Sequence, residues 1–169
     1  APWELPELEK CRTCIQSFHV VSQEFMNTLF KKIGGVPRYV LQAPARSLRQ
    51  FPGNTEAAEK AAYGRVQEAI DFINDPAHLL ECFAQGKNSL EQSGRILHRW
   101  PNPDHRDYYL EWASPYIKEE ITKQLVDKSW SKVLDELVQG GKGVARGFLF
   151  EAFVQQIFRR GGFDFEIKD

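Results

Sequence analysis

Cysteine is scarce. Cys11, Cys14 and Cys82 are an odd number and too scattered for a disulfide framework, so they read as reduced thiols. Cys11-Arg-Thr-Cys14 has the C-x-x-C spacing of redox and zinc sites, and His78 and Cys82 stand one helical turn apart. Zinc needs four ligands, and neither a second C-x-x-C nor an H-x-x-x-H follows, so these are read as ordinary half-buried helix cysteines with no metal. No apolar run approaches the roughly 20 residues of a membrane span, and no signal-peptide pattern opens the chain. A charge excess is missing too. The 22 Lys and Arg against 23 Asp and Glu give a net charge of −1, which removes any global pull toward nucleic acid or anionic membrane and leaves only a local basic patch. The chain starts Ala1-Pro2-Trp3 without a methionine and reads as a segment of something longer.

What is present suffices for a globular core: 42% hydrophobic and 27% charged residues over 169 positions. Apolar residues recur mostly at helical spacing. Glu7 to Ile15 is a short first helix, and Ser22 caps a second whose stripe of Phe25, Met26, Leu29, Phe30 and Ile33 ends at Gly34-Gly35. Pro37 restarts a short helix that Pro44 stops, and the segment from Ala45 to Gly53 reads as a loop or an irregular crossing. Thr55 to Ile73 is a long helix with a stripe of mostly small residues, and Asp75-Pro76 opens a short one ending at Gly86.

The pattern changes near Gly94. Arg95 to Trp100 and Tyr108 to Ala113 are short, aromatic runs joined by a turn-like Pro101 to Arg106, which predicts a β-hairpin at about 94–113. Ser114-Pro115 starts a helix carrying Tyr116, Ile117, Ile121, Leu125 and Val126, and Trp130 to Val138 forms another that ends at Gly140-Gly141. Residues 142–169 read as a new unit cut short. In it a helix with the stripe Phe150, Phe153, Val154, Ile157 and Phe158 precedes a half-buried strand at Phe163 to Ile167. The expected fold class is therefore mainly α: a helical, bundle-like domain with one β-hairpin and a terminal helix-strand unit.

Two motifs imitate catalytic signatures and fail. Gly141-Lys142 lacks the following Ser or Thr of a phosphate loop, and Glu136 holds the place of its first glycine. His105-Arg106-Asp107 looks like a kinase catalytic triplet, yet Trp112 stands where Asn is needed. The stretch Gly34-Gly-Val-Pro-Arg-Tyr-Val-Leu41 carries more. Gly35 supplies a backbone freedom that other residues lack, and Pro37 suits a first helical turn. Arg38 then lies where a cation opposes the helix dipole unless an anion stands between them. An internal carboxylate and an external phosphate are both open as that anion.

This stretch, with Trp3, Leu8, Cys11-Arg12 and Phe18 before it, resembles the Crinkler family of secreted pathogen effectors and the related retrotransposon-hot-spot proteins. Ile96-Leu-His98, Trp112-Ala-Ser114-Pro-Tyr-Ile117 and Gly147-x-x-Phe-Glu151 extend the likeness. The resemblance implies that residues 1–44 are the helical lid of a phosphate-loop ATPase, that 45–141 are a helical region holding the hairpin, and that 142–169 begin a restriction-endonuclease-like domain. It makes Arg38 the lid arginine that meets an ATP phosphate. No cofactor is expected in this segment itself, ATP and magnesium being implied for the parent protein. Glu151 is either an exposed helix carboxylate or, by resemblance, a nuclease-type metal-positioning acid. The family further implies secretion, a host cell and its nucleus, and host-protein partners. Trp100, Tyr108, Tyr109 and Trp112 are residue types common at interface hot spots and are the candidate binding surface. Nucleic-acid binding has Arg146, Arg159, Arg160 and Lys168 behind it.

Overall fold

The computed structural model describes residues 2–84, 93–138 and 144–160. The strand expected at Phe163 to Ile167, the glycines at 140–141 and Gly86 lie outside them. Within the described residues the chain is mainly helical with one antiparallel hairpin. Helix α1 (Leu5–Cys14) begins at a capping box in which the Glu4 N–H donates to Glu7 Oε2 at 2.8 Å. Helix α2 (Gln23–Ile33) begins where Ser22 Oγ accepts from the Phe25 N–H at 3.1 Å, and it ends at Gly34. Its buried face is Phe25, Met26, Leu29 and Ile33, with Phe30 half-buried beside them.

The next segment departs from expectation. A π-helical turn over Arg38–Gln42 runs directly into α3 (Ala43–Gln50), so Pro44 starts a helix where the sequence had it stop one, and most of the supposed loop from Ala45 is helical. The reason is local. Pro44 falls in the first turn of α3, where its missing N–H is no loss, and the Ala43 N–H reaches back to the Arg38 carbonyl, widening the turn ahead of the proline ring.

Helix α4 (Thr55–Phe72) is capped by Asn54 and buries Ala58, Ala62, Val66, Ala69 and Ile70, small side chains that let α3 lie close along it. Gly64 in this helix has nothing within 4 Å of an added Cβ. Gly64→Ala should therefore stabilise the chain by about 0.5–1 kcal/mol in urea unfolding, since alanine loses less entropy on entering a helix. A destabilisation would mean that α4 is packed differently there.

Helix α5 (Pro76–Ala84) and a single turn, α6 (Ser93–Ile96), lead to strands β1 (Leu97–Pro101) and β2 (Tyr108–Trp112), paired Leu97↔Trp112 through Pro101↔Tyr108. Helix α7 (Pro115–Val138) is one continuous rod where two helices were expected, because nothing between Val126 and Trp130 breaks a helix. Ser114 joins it to α2: its hydroxyl donates to the Lys32 carbonyl and accepts from the Ile117 N–H. Gln124, on α7, caps the end of α4 by donating to the carbonyls of Ile70 and Ile73.

Helix α8 (Val144–Arg160) packs on α5 and α7. It turns Phe148 and Leu149 inward and leaves Phe150 58% and Phe158 76% exposed, so of the expected stripe only Phe153, Val154 and Ile157 are half-buried and its two ends face outward. Phe148 and Leu149 belong to the same contiguous core as Leu8 of α1, Leu41 of the π-turn and Ile121 of α7.

Candidate functional site

The two glycines after α2 explain themselves once the neighbours are in place. Gly34 has φ +74° and ψ −170°, a region that only glycine enters readily, and an added Cβ would lie 2.0 Å from the Ala113 carbonyl oxygen and 2.6 Å from the His98 ring. At Gly35 an added Cβ would meet the Trp3 carbonyl oxygen at 1.8 Å, while the Trp3 N–H donates to the Gly35 carbonyl at 2.7 Å. The exit of the hairpin and the N-terminal segment thus clamp the chain on either side. Val36 and Pro37 follow, and the π-turn is launched in a fixed direction.

Arg38 is the first residue of that turn. It is exposed, and among the described residues no carboxylate pairs with it. It borders a cleft of about 460 Å³ between the π-turn, α3 and α4. Gln42 and Arg46 repeat at four-residue steps from Arg38 along the same wall, and Arg65 of α4 faces them. Both further arginines are exposed, and no acidic residue lines the cleft. Reading 45–53 as a loop hid Arg46, and Arg65 looked like one more polar helix residue. The eight-residue interval from Arg38 to Arg46, two steps of four through Gln42, was the available signal, but it has meaning only if helix runs through Pro44.

The other arginines near the core are committed. Arg49 donates to the Ser17 carbonyl at 2.7 Å, Arg12 to the Val21 carbonyl at 3.5 Å, and buried Arg95 to the Arg65 carbonyl at 3.2 Å. Arg146 donates to the Leu137 carbonyl at 2.9 Å. The side chains of Arg159 and Arg160, and Lys168, lie outside the described residues.

The hairpin aromatics divide. Trp112 is half-buried against Phe148 at 4.4 Å and Phe83 at 5.7 Å between ring centres, tying the hairpin to α8 and α5. Tyr108 lies beneath the Arg99 guanidinium, 5.0 Å from its ring centre. Tyr109 is 47% exposed, and its register partner Trp100 is half-buried at a cavity of about 710 Å³ shared with Trp3, Gly34 and His98. His98 is buried, its Nε2 has no hydrogen-bond partner among the described residues, and burial pushes its pKa down from 6.5 to about 4.

Glu151 is exposed and paired with Lys118 at 2.7 Å, and it also accepts from the Gln155 side-chain amide at 3.1 Å. Among the described residues no three His, Cys, Asp or Glu side chains gather as a cation site. Burial, with Cys14 beside it, raises the pKa of Cys11, which works against a thiolate. Among the described residues no helix is long and apolar enough to cross a membrane. Set against known proteins, this chain matches no family model, no curated protein and no solved structure.

Proposed function

We propose that this chain is the helical lid and linker of a Crinkler-type effector, a non-catalytic regulatory segment that offers Arg38 to a nucleotide phosphate held by a neighbouring phosphate-loop domain. The parent protein, on this reading, is secreted and acts in the nucleus of a host cell as an ATPase with a nuclease-like domain. One observation carries it: Arg38 stands exposed and without a carboxylate partner among the described residues, at the start of a turn fixed by two clamped glycines. An arginine fork donates well to phosphate oxygens, and a charge-assisted contact of that kind contributes about 1.5–3 kcal/mol. The chain's own share of the chemistry is phosphate contact. ATP and magnesium belong to the parent, whose other domain supplies the metal's ligands.

In a protein carrying the phosphate-loop domain together with this segment, Arg38→Ala should weaken ATP binding by about 1.5–3 kcal/mol, measured by calorimetry. Unchanged ATP affinity would remove the lid reading.

The exposed face of Tyr109 supports a second reading, a docking surface for a host protein on the hairpin. Tyr109→Ala should then abolish capture of that partner while the thermal transition stays in place.

A further inference from the structure

We propose that the cleft between the π-turn, α3 and α4 is itself an oligophosphate site, in which Arg38, Arg46 and Arg65 together hold the linear phosphate chain of a nucleoside triphosphate or an inorganic polyphosphate. The inference shares Arg38 with the lid reading and rests on its guanidinium being open to phosphate. It goes further in assigning two more arginines and in giving this chain an affinity of its own.

Three observations converge. The walls carry three exposed arginines and no carboxylate, so the cations repel one another with no counter-charge in the lining, in a molecule whose net charge is −1. Arginine keeps its charge at any physiological pH and presents a planar fork suited to phosphate oxygens. A single small anion answers one such fork, whereas a chain of phosphates answers several at once. The remaining lining suits this. Gln42 and Gln50 add amide donors to the lining, and Ala61 and Ala62 are small side chains on the α4 side beside Arg65. At about 460 Å³ the cleft falls in the small-molecule range. A cleft of this size matches a short phosphate chain better than the extended basic track that a nucleic-acid strand needs.

The helical path through Pro44 builds the site. Had the chain ended its helix there, Arg46 would not share a face with Arg38; because the π-turn passes directly into α3, Arg38, Gln42, Arg46 and Gln50 line one wall at steps of four. Arg49 is the internal comparison: an exposed arginine of the same helix, outside the cleft and already donating to the Ser17 carbonyl.

The test is calorimetric titration of the intact chain at low salt with sodium tripolyphosphate, orthophosphate, ATP and AMP. Tripolyphosphate should bind at least about tenfold more tightly than orthophosphate, and Arg46→Ala and Arg65→Ala should each weaken it about tenfold or more, while Arg49→Ala leaves it unchanged. ATP at the affinity of tripolyphosphate, with AMP weak, identifies the phosphate chain as the ligand; ATP tighter than tripolyphosphate adds a contact to the nucleoside and still supports the site. Tripolyphosphate no tighter than orthophosphate would overturn the proposal, as would equal effects of Arg46→Ala and Arg49→Ala, or single-stranded RNA binding that tripolyphosphate fails to displace. The two readings fail separately. Tripolyphosphate binding sensitive only to Arg38→Ala sinks the three-arginine site and leaves the lid reading standing. Binding that needs Arg46 and Arg65, with ATP affinity of the larger protein indifferent to Arg38→Ala, does the reverse.

Discussion

Gly34→Ala should lower the stability of the chain by more than about 3 kcal/mol in urea unfolding, a large share of the roughly 5–15 kcal/mol that holds a typical domain folded. Two penalties add. A side chain at φ +74° and ψ −170° is strained whatever the space, by about 1–3 kcal/mol. The new Cβ would also stand 2.0 Å from the Ala113 carbonyl oxygen, and backbone on that side is held by the Ala113 N–H bonding the Ile96 carbonyl at 2.9 Å. Gly53→Ala separates these terms. Gly53 has φ +77° with nothing within 4 Å of an added Cβ, so its substitution should cost only the conformational part, about 1–2 kcal/mol. Equal costs at the two positions would contradict the close packing of the hairpin exit on the end of α2.

The second large effect is a pH dependence centred on His98. Its folded pKa, about 4, lies below the ordinary 6.5, so the unfolded chain binds the proton more readily than the folded one. The stability tied to its neutral form is therefore complete above pH 6.5, declines as pH falls, and is lost once pH passes about 4. The shift corresponds to about 3 kcal/mol over that window. The Lys132 ammonium and the Ala77 N–H lower the pKa of Asp75 from 3.8, so its loss comes on the acid side, below the range of His98. His98→Phe should flatten the profile between pH 6.5 and 4 while leaving the acid limb. An unchanged slope in the variant would show that the imidazole is not the group responsible.

The sequence showed the helices where a cap and a stripe agreed, as at Ser22 with Phe25, Met26 and Leu29, and α4 from its stripe of small residues alone, the Asn54 cap being visible only in the structure. It also showed the hairpin, since aromatic runs of five residues flank a turn-rich segment. It misjudged Pro44, because proline is read as a stop and only the widened turn before it reveals a start. It misjudged the ends of the α8 stripe because Phe150 and Phe158 fit a helical stripe as well as Phe148 and Leu149 do, and the packing against α5 and α7 decides which of them are covered. At the Gly34-Gly35 turn the sequence pointed to Gly35 for unusual backbone, whereas the positive φ falls on Gly34 and Gly35 is required by the close approach of Trp3, and Arg38 was singled out from its place after Pro37. Arg46 and Arg65 were not, since a cleft is made by two helices far apart in the chain, and periodicity within one segment cannot see its opposite wall.

The most direct test of Arg38 as an uncommitted cation offered to phosphate is an NMR titration that follows the arginine side-chain Nε–H resonances of the intact chain with tripolyphosphate. The Arg38 resonance should move progressively to saturation while those of Arg12 and Arg95, engaged by backbone carbonyls, stay in place. An Arg38 resonance that stays still at saturating tripolyphosphate, or moves no more than that of Arg12, would contradict the account.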